Sequence, residues 1–197
     1  MNIKIKLSNN SSFKWYQNEN IYVRGYLFNE NENLIKDRLL SEYFNVSKEN
    51  EIRDKVIKAN GVFSFIVETE DFLFFGVDRL RSIPIFFYKD ITDLIIFDSP
   101  SSQVKELKDY PLNDISIKEF YLTGYTTGNK TIISNLFQVQ GGEYIVFNKN
   151  NSELKIVQYY KHFHNKTNLF PNNVFFQDID KVSINVFSRL IKSCNNR

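Results

Sequence analysis

Alternating apolar and polar residues organise the first part of the chain. Ile3, Ile5 and Leu7 alternate with polar residues near the N-terminus. A period of two places alternate side chains on one face of a strand, so this pattern predicts a half-buried strand. The segments 13–16 and 21–28 predict two further strands.

Two following segments have apolar residues at the intervals of three and four that are typical of helices. The first covers residues 34–43, with Asn33 as its expected N-cap. The second covers residues 48–59, and Gly61 is expected to end it with a positive φ, which glycine adopts readily. We therefore expect two helices between the early strands and the next group of strands.

Four short apolar segments come next, separated by short turns. They are residues 62–68, 72–77, 83–88 and 94–97. Strands so close in the chain predict an antiparallel meander, and several are apolar on both faces, which predicts a sheet covered on both sides. Together with the helices, this pattern indicates a layered α+β domain.

The second half of the chain carries start and stop signals for further elements. Ser99-Pro100 and the capping box from Ser116 to Glu119 predict two helix starts, and Gly124 predicts where the second of these helices ends. The remaining predicted elements are a hairpin of residues 143–148 and 154–158, a linker over 161–173 and an amphipathic helix over 174–193.

The composition is that of an ordinary globular protein and argues against several classes of function. Of the 197 residues, 42% are hydrophobic and 24% are charged, and the net charge is +2. So small a charge gives no electrostatic reason to expect nucleic acid or an acidic membrane as a partner. No apolar run approaches the roughly 20 residues of a membrane helix. Because Cys194 is the only cysteine and the N-terminus lacks a secretory apolar region, we expect a cytoplasmic protein.

Several short motifs follow one another in order along the chain. They are Asn60-Gly61-Val62-Phe63-Ser64-Phe65, Asp78-Arg79 with Pro84 and Tyr88, Phe97-Asp98-Ser99, Tyr121-Leu122-Thr123-Gly124-Tyr125, and Gln140-Gly141-Gly142. In order and spacing they resemble the class II glutamine amidotransferase domain of asparagine synthetase-like proteins, which belongs to the N-terminal nucleophile (Ntn) hydrolases. The resemblance covers about residues 25–160, although Ser82 and Ile83 replace a glycine and a lysine of the family's second motif.

The resemblance implies a fold, a division into domains and a set of partners. The implied fold is a four-layer α/β/β/α sandwich of two antiparallel sheets, formed by residues 1–160. Residues 161–197 would be the linker and first helix of a truncated asparagine synthetase-like domain, because the chain stops before that domain's phosphate-binding loop. ATP and magnesium are expected only in the missing domain, which would act in cis or on a separate chain. A homodimer is also open, and this chain itself is expected to hold no cofactor or metal.

The residues that the family uses for glutamine hydrolysis are replaced. The family nucleophile is an N-terminal cysteine whose own α-amine is the base, and the corresponding position here is Asn2. The degenerate glutamine pocket would comprise Arg24, Gly25, Tyr26, Asn60 and Gly61. Arg24 and Tyr26 stand where the family has an asparagine and a glutamate, whereas Gly25 is kept. The resemblance therefore implies an inactive glutaminase site without catalytic residues.

Other polar residues favour structural roles. Asp78 and Arg79 are predicted to form a structural pair that fixes a hairpin loop, and the alternative is that Arg79 and Arg81 bind an anion. His162 and His164 are the only histidines, too few for a metal site, and we interpret them as linker residues.

Three functional hypotheses follow from the sequence. The first is a domain that supports an ATP-dependent amide-forming domain without hydrolysing glutamine. The second is a residual glutaminase that supplies ammonia for asparagine synthesis, which would need a processed N-terminus at Ser8 or Ser11. The third is a module that binds a peptide or small ligand in the old glutamine pocket. Ammonia release and the mass of the N-terminus separate the first two, and a ligand-induced thermal shift would favour the third.

Overall fold

The structure, a computed structural model, describes residues 1–8, 13–100, 109–163 and 172–194. The chain divides into two units, Met1–Tyr160 and Lys161–Arg197. The strands of the first unit are β1 (Asn2–Lys6), β2 (Tyr16–Asn18), β3 (Ile21–Phe28), β4 (Leu34–Lys36), β5 (Asn60–Glu68), β6 (Phe72–Val77), β7 (Phe86–Lys89), β8 (Asp93–Phe97), β9 (Leu136–Gln138), β10 (Glu143–Asn148) and β11 (Glu153–Gln158). Its helices are α1 (Asp37–Tyr43), α2 (Glu49–Lys58) and α3 (Asp114–Thr123).

The larger sheet has the strand order β11-β10-β6-β5-β3-β2, and β4 pairs with the second half of β3. Adjacent strands in it are antiparallel. The register of β3 on β5 places Arg24 opposite Ser64 and Gly25 opposite Phe63. All five predicted pocket residues therefore lie on two neighbouring strands of this sheet.

The smaller sheet has the strand order β1-β8-β7-β9. β7 is antiparallel to both of its neighbours, but β1 runs parallel to β8, with Asn2 opposite Asp93 and Lys6 opposite Phe97. The prediction of two antiparallel sheets is therefore wrong for this sheet. A parallel pair can form here because the long connection between β1 and β8, which passes through the larger sheet, returns the chain in the same direction.

The four strands predicted as one meander divide between the two sheets. β5 pairs with β6 in the larger sheet and β7 with β8 in the smaller one, while β6 has β10 as its second neighbour. The apolar faces then meet across the layer between the sheets, as in the contact of Phe75 with Phe87, whose ring centroids are 5.5 Å apart. Face-to-face stacking buries more apolar surface than a single meander would, which explains the difference.

The first unit has apolar clusters on both faces of each sheet. The cluster between the sheets includes Ile66, Phe75, Phe87, Ile96, Ile145 and Phe147. On the other face of the larger sheet, Leu40 and Phe44 of α1 and Ile52 and Val56 of α2 pack against the strands. A third, smaller cluster on the other face of the smaller sheet joins Phe97 to Tyr110 and Ile133. The first unit is therefore a mixed α+β structure with two stacked sheets.

The segment 34–43 is not one helix as predicted. β4 pairs with β3, and α1 begins only at Asp37, with Lys36 as its N-cap. Asn33, the expected N-cap, donates its backbone N–H to Oδ1 of Asn29 at 3.0 Å. Pairing at the edge of β3 overrides the helical spacing because it satisfies backbone groups that the sheet leaves open there.

The helix predicted over 48–59 is confirmed as α2, but it ends differently. Ala59, in an extended conformation, is its C-cap. Gly61 lies inside β5 and is not among the glycines with positive φ. A Cβ atom at Gly61 would lie 2.3 Å from the carbonyl oxygen of Tyr26, so close approach of β3, and not a turn, requires the glycine.

The signals around α3 are confirmed at one end and corrected at the other. Gly124 ends the helix with φ 80°, as predicted. Asn113 is the N-cap, because its Oδ1 accepts the backbone N–H of Ser116 at 3.0 Å. The predicted cap Ser116 therefore lies inside the helix. The helix predicted from Ser99-Pro100 falls on residues 101–108, which lie outside the described residues.

The second unit contains α4 (Asn172–Cys194), which confirms the predicted final helix. Many of its apolar side chains are exposed, among them Phe176, Ile179, Val182, Val186, Phe187 and Leu190. In the part of the chain that the structure describes, no helix combines the length and apolar character needed to cross a membrane.

Candidate functional site

Arg24, in the middle of β3, points into the layer between the two sheets. Tyr22, two residues earlier on the same face of the strand, packs against the inter-sheet cluster, and Arg24 is 6% exposed. A charged group so deeply buried needs a partner of opposite charge. The candidate site is therefore defined by what surrounds this guanidinium.

The partner of Arg24 is Asp98, which follows β8 in the smaller sheet. Nη1 of Arg24 lies 2.7 Å from Oδ2 of Asp98, and the two side chains are 7% and 1% exposed. Nε of Arg24 donates to the carbonyl oxygen of Phe13 at 2.6 Å. The ion pair thus joins the two sheets and also holds the chain segment that precedes β2.

Asp98 accepts further hydrogen bonds from that segment. The backbone N–H and the hydroxyl of Ser8 donate to its two oxygens at 3.0 Å each, and Nε1 of Trp15 donates to Oδ2 at 2.9 Å. The guanidinium carbon of Arg24 lies 5.6 Å from the centre of the Trp15 ring. We name Ser8, Trp15, Arg24 and Asp98 the Arg24–Asp98 cluster. The Asp98 carboxylate accepts hydrogen bonds from Ser8, Trp15 and Arg24, and the Arg24 cation neutralises its charge inside the protein.

Gly25 and Tyr26 continue β3 beside this cluster. Gly25 has a φ of +95°, and a Cβ atom there would lie 2.0 Å from the carbonyl oxygen of Val62. The ring of Tyr26 lies 6.0 Å from the rings of both Phe13 and Phe28. Glycine is therefore required at position 25 by conformation and by space, and Tyr26 is held by aromatic neighbours.

Asn60 and Gly61 start the neighbouring strand β5. Asn60 pairs with Phe28 and Gly61 with Leu27, so these two residues lie further along β3 than Arg24 does. Asn60 is exposed. The structure thus brings four of the five predicted pocket residues close together and places Asn60 at the outer end of the group.

Asn2 is not part of this group. It pairs with Asp93 at the start of β8, and its side-chain amide donates to Oδ1 of Asp93 at 3.0 Å. Asp98 follows the other end of β8, so the rise of a strand separates Asn2 from the Arg24–Asp98 cluster by about 16 Å. The predicted nucleophile position and the predicted pocket therefore lie at opposite ends of one strand.

Asp78 fixes the crossover between the sheets through backbone groups. Its carboxylate accepts the N–H groups of Phe63 at 3.2 Å, Leu80 at 2.8 Å and Ser82 at 3.0 Å, as well as the hydroxyl of Ser82 at 3.1 Å. Asp78 is 2% exposed. It acts as the centre of the loop after β6.

Arg79 does not supply the counter-charge of Asp78. Its Nη2 donates to the carbonyl oxygen of Ile57 at 3.0 Å, and its guanidinium lies 4.8 Å from the centre of the Tyr160 ring. Among the described residues, the ion pairs do not include Asp78 with Arg79. Both residues hold the same loop, but through separate partners.

Arg81 lies on the other side of the loop. Its guanidinium is 5.4 Å from the centre of the Phe86 ring, and partial burial lowers its pKa. Since Arg79 packs on Tyr160 and Arg81 on Phe86, the two cations do not converge. The alternative prediction of a shared anion site on Arg79 and Arg81 therefore finds no support in this geometry.

A separate surface cleft of about 270 Å³ lies near the connection between β3 and β4. Its lining consists of Asn29, Glu30, Asn31, Tyr43, Asp54, Lys55 and Lys58. Burial, with a smaller contribution from Glu30, raises the pKa of Tyr43 to about 12, and the Tyr43 hydroxyl donates to the carbonyl oxygen of Lys55 at 2.8 Å. The phenol is thus neutral and engaged at ordinary pH.

Sequence reasoning missed Asp98, Trp15 and Ser8 as partners of Arg24. Asp98 stands in a motif that the resemblance used, but it is 74 residues from Arg24 in the chain. An arginine within a segment predicted to be an apolar strand is a signal that a carboxylate lies nearby, but it does not indicate which one. In the described part of the chain, no three His, Cys, Asp or Glu side chains are grouped to hold a metal, and His164 lies outside that part.

Comparisons with known proteins give a distant structural likeness. No protein-family model matches the chain, and no curated protein matches it. Glutamine phosphoribosylpyrophosphate (PRPP) amidotransferase from B. subtilis, complexed with ADP and GMP, is similar at a TM-score of 0.41 and 12% identity, over 77% of this chain and 32% of that one. A structure described as the allosteric regulatory enzyme of purine biosynthesis is similar at a TM-score of 0.45 and 14% identity, over 79% of this chain and 32% of that one. The chain thus spans about a third of the length of either protein.

Proposed function

We propose that this chain is a class II glutamine amidotransferase-like domain of the asparagine synthetase type that does not hydrolyse glutamine. Its role would be structural, in support of an ATP-dependent amide-forming domain. The order of the sequence motifs supports the family assignment, as does the stacking of two sheets with helices on the larger one. We also propose that a fourth layer covers the smaller sheet and completes an Ntn-hydrolase-like sandwich. The proposed location of the protein is the cytoplasm.

The burial and ion pairing of Arg24 are the main support for the proposal that the site is inactive. In the position where the resemblance places a glutamine contact, the side chain is 6% exposed and lies 2.7 Å from the Asp98 carboxylate. A guanidinium whose charge is neutralised by a buried carboxylate does not bind the carboxylate of a free amino acid. Asn2 adds to this, because its amide side chain is no nucleophile and is bonded to Asp93.

ATP and magnesium belong to the proposed partner domain and not to this chain. That domain would lie on the same polypeptide or on a separate one, and the exposed apolar side chains of α4 offer it a surface. A reaction that forms an amide from an activated acyl group and an amine needs no ammonia from glutamine, so an inactive first domain is compatible with it.

Glutamine turnover tests the proposal directly. The full chain is incubated with glutamine, and released glutamate and ammonia are measured while mass spectrometry determines the N-terminus. We expect no release above a heat-denatured sample. Release by the intact chain would overturn the proposal.

The residual glutaminase remains a second candidate because of the position of Ser8. Its hydroxyl and backbone N–H both contact Asp98 in the Arg24–Asp98 cluster. Cleavage before Ser8 would create a free amine beside a hydroxyl at the pocket end of β8. Glutamine turnover by a form that begins at Ser8, abolished by Ser8→Ala in that form, would favour this candidate.

A further inference from the structure

The Arg24 guanidinium has the surroundings of a carboxylate-binding site whose ligand is part of the chain. Three donors from different segments converge on the Asp98 carboxylate: Nη1 of Arg24 at 2.7 Å, Nε1 of Trp15 at 2.9 Å and the backbone N–H of Ser8 at 3.0 Å. A bidentate or multiply donated carboxylate on a buried arginine is the arrangement with which proteins bind acidic ligands.

We propose that Arg24, Trp15 and Ser8 form a site for a small monocarboxylate, and that Asp98 closes it as an internal ligand. The contact between Asp98 and these residues is autoinhibitory, because Asp98 occupies the hydrogen-bond donors that a carboxylate from solution would need. This inference rests on the proposed function, since it explains why the pocket of an amidotransferase-like domain does not take up glutamine.

The size of the Asp98 side chain defines the ligand class. Its CH₂–COO⁻ group differs from acetate by one hydrogen atom, so an Asp98→Gly variant leaves room for acetate in front of the same donors. The variant also leaves Arg24 buried without a counter-charge, which makes an anion there strongly favourable. Sulfate or chloride lacks the planar pair of oxygens that the donors meet in Asp98.

The cluster contains its own reporter. Trp15 is the only tryptophan of the chain, and its indole N–H donates to Asp98 while its ring lies 5.6 Å from the Arg24 guanidinium carbon. Tryptophan fluorescence therefore reports on this one cluster, and the melting temperature gives a separate measure of global stability.

The experiment uses the full chain carrying Asp98→Gly and titrates it with sodium acetate, with sodium chloride at equal ionic strength as the reference. We expect acetate to restore the fluorescence of Trp15 towards that of the unaltered protein. Acetate should also raise the melting temperature by about 3 °C or more over chloride. The unaltered protein should respond equally to both salts, because Asp98 occupies the site.

Two further variants control for unspecific effects. Asp93→Gly removes a half-buried carboxylate from the other end of β8 and should respond equally to acetate and chloride. Arg24→Met in the Asp98→Gly background removes the cation and should abolish the acetate response. If the Asp98→Gly chain is unfolded in chloride, refolding in acetate supports the inference, and failure to refold in acetate overturns it.

An equal response to acetate and chloride, or an acetate response that survives Arg24→Met, would also overturn the inference. Neither result would contradict the proposed function, because that function is tested separately by glutamine turnover of the unaltered chain. Conversely, glutamate release by the unaltered chain would overturn the proposed function whatever the outcome with acetate.

Discussion

Oδ2 of Asp78 lies 3.2 Å from the backbone nitrogen of Phe63 and accepts its hydrogen. The backbone N–H of Asp78 in turn donates to the carbonyl oxygen of Phe63 at 2.9 Å. This reciprocal contact ties the crossover loop to β5 at the point where the chain leaves the larger sheet for the smaller one. The loop therefore depends on a single buried carboxylate.

Replacement of that carboxylate should destabilise the fold. In Asp78→Ala, backbone N–H groups of Phe63, Leu80 and Ser82 lose their acceptor, and we expect the free energy of unfolding to fall by about 2–4 kcal/mol. Urea unfolding followed by circular dichroism measures the change. Asp54→Ala, at an exposed position of α2, is the control and should shift it by no more than about 0.5 kcal/mol. Equal effects of the two substitutions would contradict the role of Asp78.

A methyl group at Gly25 should be poorly tolerated. Gly25→Ala combines a φ of +95° with a Cβ position 2.0 Å from the carbonyl oxygen of Val62, so we expect a loss of about 3 kcal/mol or more, or failure to fold.

Gly128→Ala is the matched control for Gly25. Gly128 also has a positive φ, +68°, but open space around its Cβ position, so its loss should be about 1 kcal/mol. Thermal unfolding of both variants separates conformational strain from steric clash. A Gly25→Ala protein as stable as Gly128→Ala would refute the close approach of β3 and β5.

Removal of the hydroxyl should affect the stability of the protein differently at two buried serines. Ser64 and Ser41 are both 0% exposed. Among the described residues, the Ser64 hydroxyl has no hydrogen-bond partner, whereas the Ser41 hydroxyl donates to the carbonyl oxygen of Arg38 at 2.8 Å. We expect Ser64→Ala to be neutral or stabilising and Ser41→Ala to lose about 1 kcal/mol. Chemical denaturation of the two variants under the same conditions provides the comparison, and a larger loss for Ser64→Ala would show that its hydroxyl is bonded.

Acid should weaken the turn between β7 and β8 through Asp90. Hydrogen bonds from the backbone N–H groups of Asp93 and Thr92 lower the pKa of Asp90 from 3.8 to about 2. Because the folded-state pKa is the lower one, the contribution of Asp90 to stability is present above pH 3.8 and is lost as the pH falls towards 2.

Asp90→Asn tests this assignment. The variant should be less stable than the unaltered protein near neutral pH and should lose less stability on acidification from about pH 5 to about pH 2. Urea midpoints across that range measure the difference. Parallel curves for the two proteins would show that another group carries the acid sensitivity. Glu70→Gln, an exposed change in a different turn, serves as the control and should leave the pH profile unchanged.

Local elements were predictable from the sequence because their determinants are local. The period of two in β1, the apolar stripe of α2 and the glycine that ends α3 act between residues a few positions apart. These features appear in the structure within a few residues of the predicted positions.

Only the tertiary structure decided how the elements combine and which charges pair. The strands from β5 to β8 could have formed one meander, and stacking them in two sheets was decided by the apolar area buried between Phe75 and Phe87 and their neighbours. The same stacking brings Asp98 to Arg24 across 74 residues and separates Asp78 from the adjacent Arg79. Pairing of buried charges depends on which layers meet, and no local pattern of residues contains that information.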